Sequence, residues 1–300
     1  MSQIKANGLS FEYDITGKAG DEPILLIMGL GGQMTLWRDA FVAKLAARGY
    51  RVIRFDNRDI GLSEKLDALG PPDMGAVLAA WAEGRLAPAP YNLSDMAADA
   101  AALLTALGVD RAHIVGASMG GMIAQLVAAD HPEKTLSLTS IMSTTGNRAL
   151  PPAKPEAMAA LNTPAPDPAK DMEGYLANVV ASSKVIGSPG YPPDEADQRA
   201  FAVSNVRRSY HPVGFLRQYA AVLASPDRRP KLATIEVPTM VIHGEDDALV
   251  PVEGGRDTAA NIPGAELVTI PGMGHDVPPA LYDQIIDAIV RVAEKAKTTA

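Results

Sequence analysis

The sequence predicts an α/β fold, with a mostly parallel central sheet flanked by helices and an inserted helical segment. Strand-like apolar runs alternate with amphipathic helical patterns from residue 9 to residue 142, and the alternation resumes from residue 239. Between residues 146 and 231 the pattern changes to proline-rich and helical. With 47% hydrophobic residues in a chain of 300, the sequence can also bury a large core.

The first elements follow from hydrophobic periodicity. LSFEYDI, from residue 9, alternates as a half-buried strand does, and PILLIM, from residue 23, reads as a fully buried strand. RDAFVAKLAARG has helical spacing and ends at Gly49, and YRVIRFD is the next strand. These elements predict a first crossover unit, since parallel strands require a connection of this kind.

The later elements continue the alternation. A helix is predicted from Ser94, with its apolar residues on one face and Gly108 closing it. The remaining predicted elements are the strand AHIVGA, the helix MIAQLVAADH, the strands LSLTSIM, TMVIHG and ELVTI, and a final helix from about Leu281 to Ala296.

Residues 146–231 are predicted to form a helical cap, or lid, over a core made of residues 1–145 and 232–300. The stretches GYLANVVASSKVIG and VGFLRQYAAVLA carry apolar residues on one helical face, which favours docked helices over the alternative of a disordered linker. The insertion at residues 64–92, which contains Trp81, is expected to join the same lid.

Composition excludes several classes of function. There are 27 basic and 35 acidic residues, a net charge of −8, and no cluster of positive charge, so nucleic acid is not an expected partner. The N-terminal sequence lacks the apolar core of a signal peptide, and the longest apolar run, residues 24–32, is too short to span a bilayer. We therefore expect a cytoplasmic protein with no membrane partner. The absence of cysteine rules out disulfides, thiolate metal sites and a cysteine nucleophile.

The stretch HIVGASMGGMIAQ contains the strongest motif. Gly116-Ala117-Ser118-Met119-Gly120 matches the G-x-S-x-G elbow, in which a serine occupies a sharp turn between a strand and a helix. A predicted strand precedes the motif and a predicted helix follows it, as the motif requires. Ser118 is therefore predicted to be a nucleophile rather than part of a turn of small packing residues.

A serine nucleophile needs a base, and the chain has five histidines. His275 lies in IPGMGHDVPP, a glycine-rich loop after the last predicted strand, where a histidine can reach over the sheet edge. Its position also fits the chain order serine, acid, histidine. The other four lie at strand or helix ends or in the cap: His113, His131, His211 and His243.

HGEDDALVP supplies two candidates for the third member of a catalytic triad. Asp246 and Asp247 both follow the strand TMVIHG, and either carboxylate can accept a hydrogen bond from histidine Nδ1–H. Spacing alone leaves the choice open, and one of the two is expected to be only a turn residue.

From about Ile24 to the final helix, the chain resembles the α/β-hydrolase fold family. VGASMGG resembles the family's nucleophile elbow, FDNRDIGLS its D-x-R-x-x-G-x-S segment, HGEDDALVP its acid loop and IPGMGH its histidine loop. Within the family it is most similar to bacterial esterases of the aclacinomycin methylesterase-like branch. The resemblance selects Asp247, three residues after Gly244, as the acid, and it makes Asp56 and Arg58 a structural pair that braces loops.

The resemblance also implies an oxyanion hole. The family commonly has His-Gly after the third strand, and here Met28-Gly29 takes that place. The following loop still offers backbone N–H groups, so Leu30 and Met119 are the expected donors, with Gly31 as a substitute for Leu30.

The implied function is hydrolysis of a carboxylic ester or lactone, with a small-molecule ester as substrate and with no cofactor or metal. The same triad supports acyl transfer, C–C bond hydrolysis or perhydrolysis, which stay open as alternatives. Haloalkane dehalogenases and epoxide hydrolases of this fold are disfavoured, because they use aspartate at the elbow. Outside catalysis, the fold also serves as a small-molecule receptor, although a complete triad argues against that role.

Overall fold

The computed structural model describes residues 2–299 and contains eight strands, eleven α-helices and four short 3₁₀ helices in that part of the chain. The strands are β1 Ser2–Ala6, β2 Leu9–Thr16, β3 Glu22–Ile27, β4 Tyr50–Phe55, β5 Ala112–Ala117, β6 Thr135–Ile141, β7 Thr239–Gly244 and β8 Glu266–Ile270. The helices are α1 Asp39–Ala47, α2 Met74–Ala82, α3 Leu93–Ala106, α4 Met119–Asp130, α5 Pro155–Asn162, α6 Met172–Ile186, α7 Glu195–Arg208, α8 Pro212–Leu223, α9 Arg229–Leu232, α10 Glu253–Asn261 and α11 Tyr282–Thr299.

All eight strands form one sheet in the order β1-β2-β4-β3-β5-β6-β7-β8. Strands β3 to β8 pair in parallel, whereas β1 and β2 are antiparallel to their neighbours at one edge. Sequence periodicity does not predict β1, because SQIKA is a mostly exposed edge strand without apolar alternation. Because six of the eight strands pair in parallel, the mostly parallel sheet that the sequence predicts is confirmed.

Helices cover both faces of the sheet, and the alternation of side chains along the strands feeds two separate cores. On β3, Leu25 and Ile27 pack towards α3 and α4, while Ile24 and Leu26 pack towards α1 and α11. Both faces of the central strands are buried, which explains why these strands read as continuous apolar runs.

Helices α5 to α8 lie between β6 and β7 in the chain, in the segment predicted to be a cap. Helix α2, from the 64–92 insertion, packs against α8 through Val77, Ala80 and Ala220. The division into core and cap stays a prediction.

Helix α10 is not anticipated from periodicity, because it is largely polar and contains two adjacent glycines. Its small residues are required by packing, since a Cβ on Gly255 would lie 2.5 Å from His243 Nδ1. Within residues 2–299, no helix combines the length and apolar character needed to cross a bilayer.

Candidate active site

The carboxyl ends of β3, β5, β7 and β8 meet at one edge of the sheet because these strands run in parallel. The loops that follow them carry the motifs found in the sequence. Ser118 follows β5, Asp247 follows β7 and His275 follows β8. This is the edge at which open α/β sheets bind their ligands.

Ser118 occupies the sharp turn between β5 and α4. Its backbone has φ 56° and ψ −122°, a conformation that residues other than glycine rarely adopt. The flanking glycines permit the turn: a Cβ on Gly116 would lie 2.0 Å from the Gly120 carbonyl oxygen, and one on Gly120 would lie 2.1 Å from the Ile27 oxygen. Any side chain at either position would open the elbow.

The three residues predicted to form a triad are joined by hydrogen bonds. Ser118 Oγ lies 2.8 Å from His275 Nε2, and His275 Nδ1 lies 2.7 Å from Asp247 Oδ2. Ser118 and His275 are 157 residues apart in sequence, and the fold alone brings them together.

The Asp247 side chain is fully buried. Its Oδ1 accepts hydrogen bonds from the backbone N–H groups of Leu249 and Val250, at 2.9 and 2.8 Å, which leaves Oδ2 for His275. Asp246 is exposed and accepts a hydrogen bond from the Gly272 N–H at 2.8 Å. Asp246 thus links the acid loop to the start of the histidine loop, and the hydrogen bond with His275 Nδ1 is made by Asp247.

The end of α6 and the residues that follow it hold the histidine loop, a pair of contacts that sequence reasoning missed. The His275 N–H donates to the Ile186 carbonyl at 2.8 Å, and the Gly274 N–H donates to Ser188 Oγ at 2.9 Å. The Ser188 hydroxyl in turn donates to the Asp276 carboxylate. Burial raises the pKa of Asp276, and its hydrogen bonds with Ser188 only partly offset this effect.

The loop after β3 packs directly against the serine. A Cβ on Gly29 would lie 3.1 Å from Ser118 Cβ, so the glycine lets the backbone of this loop approach the serine closely. Met28 stands here in place of the histidine of the family's His-Gly pair. The N–H groups of Leu30 and Met119 donate to no acceptor among the described residues. The Gly31 N–H, by contrast, donates to Gln218 Oε1 at 2.9 Å.

Asp56 and Arg58 bond to different partners rather than to each other. Asp56 accepts hydrogen bonds from the Met34 and Leu62 N–H groups at 2.7 and 2.8 Å. Arg58 pairs with Asp99 of α3 at 2.6 Å. Asp56 thus contacts two loops, whereas Arg58 is bonded to a helix, and the bracing of loops by the two residues stays a prediction.

The other four histidines make no hydrogen bond with Ser118, although His243 Nε2 lies 3.6 Å from Asp247 Oδ2. His113 lies 2.8 Å from Ser137 Oγ, and His243 Nε2 lies 2.8 Å from the Val250 oxygen. Burial lowers the pKa of both, so both are neutral groups of the core. His131 lies beside Glu133, and His211 contacts Arg217. In residues 2–299, no group of three or more His, Asp or Glu side chains is arranged to hold a metal ion.

A family model described as alpha/beta hydrolase fold matches residues 22–278. The chain belongs to the α/β-hydrolase fold family. The family predicted from the motifs is therefore confirmed. This α/β hydrolase is 30% identical over 292 residues to rhodomycin D methylesterase of Streptomyces peucetius, covering 91% of each chain.

Two solved structures show the same fold as this α/β hydrolase. The enol-lactonase from Burkholderia xenovorans LB400 superposes with a TM-score of 0.70 at 22% identity, covering 97% of this chain and 99% of its own. A thermophilic esterase from Thermogutta terrifontis gives a TM-score of 0.69 at 22% identity, covering 99% of both chains.

Proposed function

We propose that this α/β hydrolase is a serine esterase that cleaves a carboxylic ester or lactone through an acyl-enzyme intermediate. One observation carries the proposal: the hydrogen-bonded series from Ser118 through His275 to Asp247, at 2.8 and 2.7 Å. These distances are those at which a histidine removes a proton from a hydroxyl and a carboxylate orients the histidine.

In the proposed mechanism, His275 Nε2 accepts the hydroxyl proton as Ser118 Oγ attacks the ester carbonyl carbon. The Asp247 carboxylate accepts a hydrogen bond from His275 Nδ1–H. This bond fixes the tautomer of the imidazole, and the negative charge of Asp247 stabilises the imidazolium. His275 then gives the proton to the departing alcohol, and the acyl group remains on Ser118. Water, deprotonated by His275, releases the acid and regenerates the serine.

The negative charge on the tetrahedral intermediate needs preorganised donors. We assign this role to the N–H groups of Leu30 and Met119, which have no other acceptor among the residues described here. Met119 is the first residue of α4, so the positive end of the helix dipole adds to the stabilisation. Gly31 is the weaker candidate because its N–H already donates to Gln218.

The similarity to rhodomycin D methylesterase supports a substrate that is an ester with a small alcohol as its leaving group. We therefore propose a small-molecule carboxylic ester as substrate class. An ester panel run with added alcohols and with peroxide distinguishes hydrolysis from acyl transfer and perhydrolysis on the same triad.

The test is the intact mass of the protein after treatment with a fluorophosphonate probe, on the parent and on Ser118→Ala. We expect one adduct on the parent and none on the variant, since only an activated serine attacks the phosphorus. An unmodified parent would overturn the proposal. It would favour the alternative of a small-molecule receptor, which retains a ligand without turning it over.

A further inference from the structure

Helix α8 contacts the loop that carries the proposed oxyanion donor, although it belongs to the segment predicted to be a cap. Gln218 lies on this helix, is fully buried and is 187 residues from its partner Gly31. Its Oε1 accepts the Gly31 N–H at 2.9 Å, and its Nε2 donates to the Arg58 carbonyl at 2.9 Å. Both ends of the amide are thus used to join two loops at the sheet edge.

A second contact from the same helix restrains the same residue. Gly31 has φ 67°, and a Cβ there would lie 2.6 Å from Phe215 Cδ2, so the ring of Phe215 packs directly on the Gly31 backbone. Phe215 and Gln218 are three residues apart and therefore share one face of α8. The face contacts the loop both by packing and by a hydrogen bond.

The far end of the loop is held at the end of α7. Gln33 Nε2 donates to the carbonyl groups of Asn205 and Ser209, at 2.8 and 2.9 Å. The loop from Gly29 to Gln33 is consequently held at Gln33 by α7 and the residue after it, and at Gly31, its centre, by Gln218.

We propose that Gln218 is a positioning residue for the oxyanion hole: its hydrogen bond occupies the Gly31 N–H, orients the Leu30–Gly31 peptide and leaves the Leu30 N–H as the donor to the oxyanion. The inference rests on the proposed esterase function. Gln218 touches no reacting atom in this scheme and acts only through the loop. A transition-state donor works when it is held in place before the charge develops, and Gln218 supplies that restraint.

The test compares Gln218→Met, which keeps the length of the side chain and loses both hydrogen bonds, with Gln125→Met. Gln125 is also a fully buried glutamine, and it bonds Ser140 and Arg228, away from the oxyanion loop. Hydrolysis of p-nitrophenyl acetate is measured per active site, with the active sites counted by the fluorophosphonate. Gln218→Glu, which keeps an acceptor for Gly31, is measured as the conservative variant.

We expect kcat/KM per active site to fall about tenfold to a hundredfold in Gln218→Met, less than the roughly hundred- to thousandfold for deleting an oxyanion donor. KM should stay within about twofold of the parent value. Affinity for a trifluoromethyl ketone, whose adduct also carries an oxyanion, should fall by the same factor as kcat/KM. Gln218→Glu should retain more activity than Gln218→Met, and Gln125→Met should match the parent per active site.

Equal kcat/KM per active site in the two methionine variants would overturn the positioning role while leaving the esterase proposal intact, provided that the parent reacts with the probe. A parent that fails to react contradicts the esterase proposal itself. If Gln218→Met does not fold, Gln218→Asn, one methylene too short to reach Gly31, is measured in the same way, and the same comparison decides.

Discussion

Arg217 of α8 and Asp59 of the loop after β4 form an ion pair in which neither side chain is exposed. Arg217 donates to Asp59 Oδ1 at 2.6 Å and to Oδ2 at 2.9 Å, and Tyr91 donates a third side-chain hydrogen bond to the carboxylate at 2.8 Å. Burial alone would raise the pKa of Asp59, but the hydrogen bonds from Arg217, Leu66 and Tyr91 outweigh it and hold the pKa below its usual value. Both groups are therefore charged, and the pair links α8 to the loop after β4.

Removing one member of this pair should cost stability. Arg217→Ala leaves Asp59 buried without its counter-charge, and we expect the free energy of unfolding to fall by about 3–5 kcal/mol. Urea unfolding followed by circular dichroism measures the loss. Arg229→Ala, which breaks an exposed ion pair with Asp227, is the control and should leave the unfolding midpoint unchanged. An equal effect of the two variants would contradict the structural importance of the buried pair.

Substitution of the two neighbouring aspartates should affect enzyme activity to very different extents. Asp247→Asn removes the acceptor of His275 Nδ1–H and should lower kcat by about 10³- to 10⁴-fold. Asp246→Asn disturbs only the bond to Gly272 and should lower kcat less than about tenfold. Initial rates on p-nitrophenyl acetate compare them. A loss in Asp246→Asn as severe as in Asp247→Asn would show that the acid has been assigned to the wrong residue.

The elbow should not tolerate a side chain at Gly120. A Cβ there would lie 2.1 Å from the Ile27 carbonyl oxygen, so Gly120→Ala must displace β3 or α4. We expect the free energy of unfolding to fall by about 1–3 kcal/mol or more, and we expect the variant not to react with the fluorophosphonate. Gly20→Ala is the matched control, since its Cβ would meet nothing within 4 Å. Normal probe labelling of Gly120→Ala would argue against the described turn.

Stability should decline in mild acid because of His113. Burial lowers the pKa of this histidine, and the nearby Glu22 only partly opposes it, so the folded protein binds fewer protons than the unfolded chain. The contribution of His113 is present above the unfolded pKa of about 6.5 and is lost as the pH falls towards the lower folded pKa. The midpoint of thermal unfolding should therefore drop between pH 7.5 and 5.5. The drop should be smaller in His113→Gln, and parallel pH profiles would refute this explanation.

Residues 146–231 should resist limited proteolysis if they form a docked cap. Trypsin, monitored by intact mass, should cut this segment slowly in the parent and faster in Arg217→Ala, which loses the buried pair with Asp59. Rapid cleavage throughout the segment in the parent would favour a linker instead. The exposed basic residues of α11 provide an internal reference for the activity of the protease.

Much of the fold and the proposed triad could be predicted from local sequence patterns. The G-x-S-x-G elbow carries its own geometry in its glycines, and the strands on both sides of it read as buried apolar runs. The choice of Asp247 over Asp246 needed family spacing, because adjacent aspartates look alike in a turn. Strand β1 and helix α10 escaped prediction since neither has an apolar periodicity.

The contacts made by Gln218 and Arg217 could not be predicted in the same way. Helix α8 reads as amphipathic, which predicts burial of one face but not what that face meets. Gln218 is 187 residues from Gly31, and Arg217 is 158 residues from Asp59. A polar residue on an otherwise apolar helix face is the signal that was available. It indicated a buried polar partner without identifying that partner.

The backbone turn at Ser118 has a practical consequence. The serine N–H donates to the Ile141 carbonyl at 2.9 Å, and the flanking glycines fit against backbone, so the turn is held without any help from the hydroxyl. Ser118→Ala should accordingly preserve the backbone of the active site while abolishing turnover. Such an inert copy can be immobilised as bait, and mass spectrometry of the small molecules it retains from a metabolite extract can reveal the natural ester.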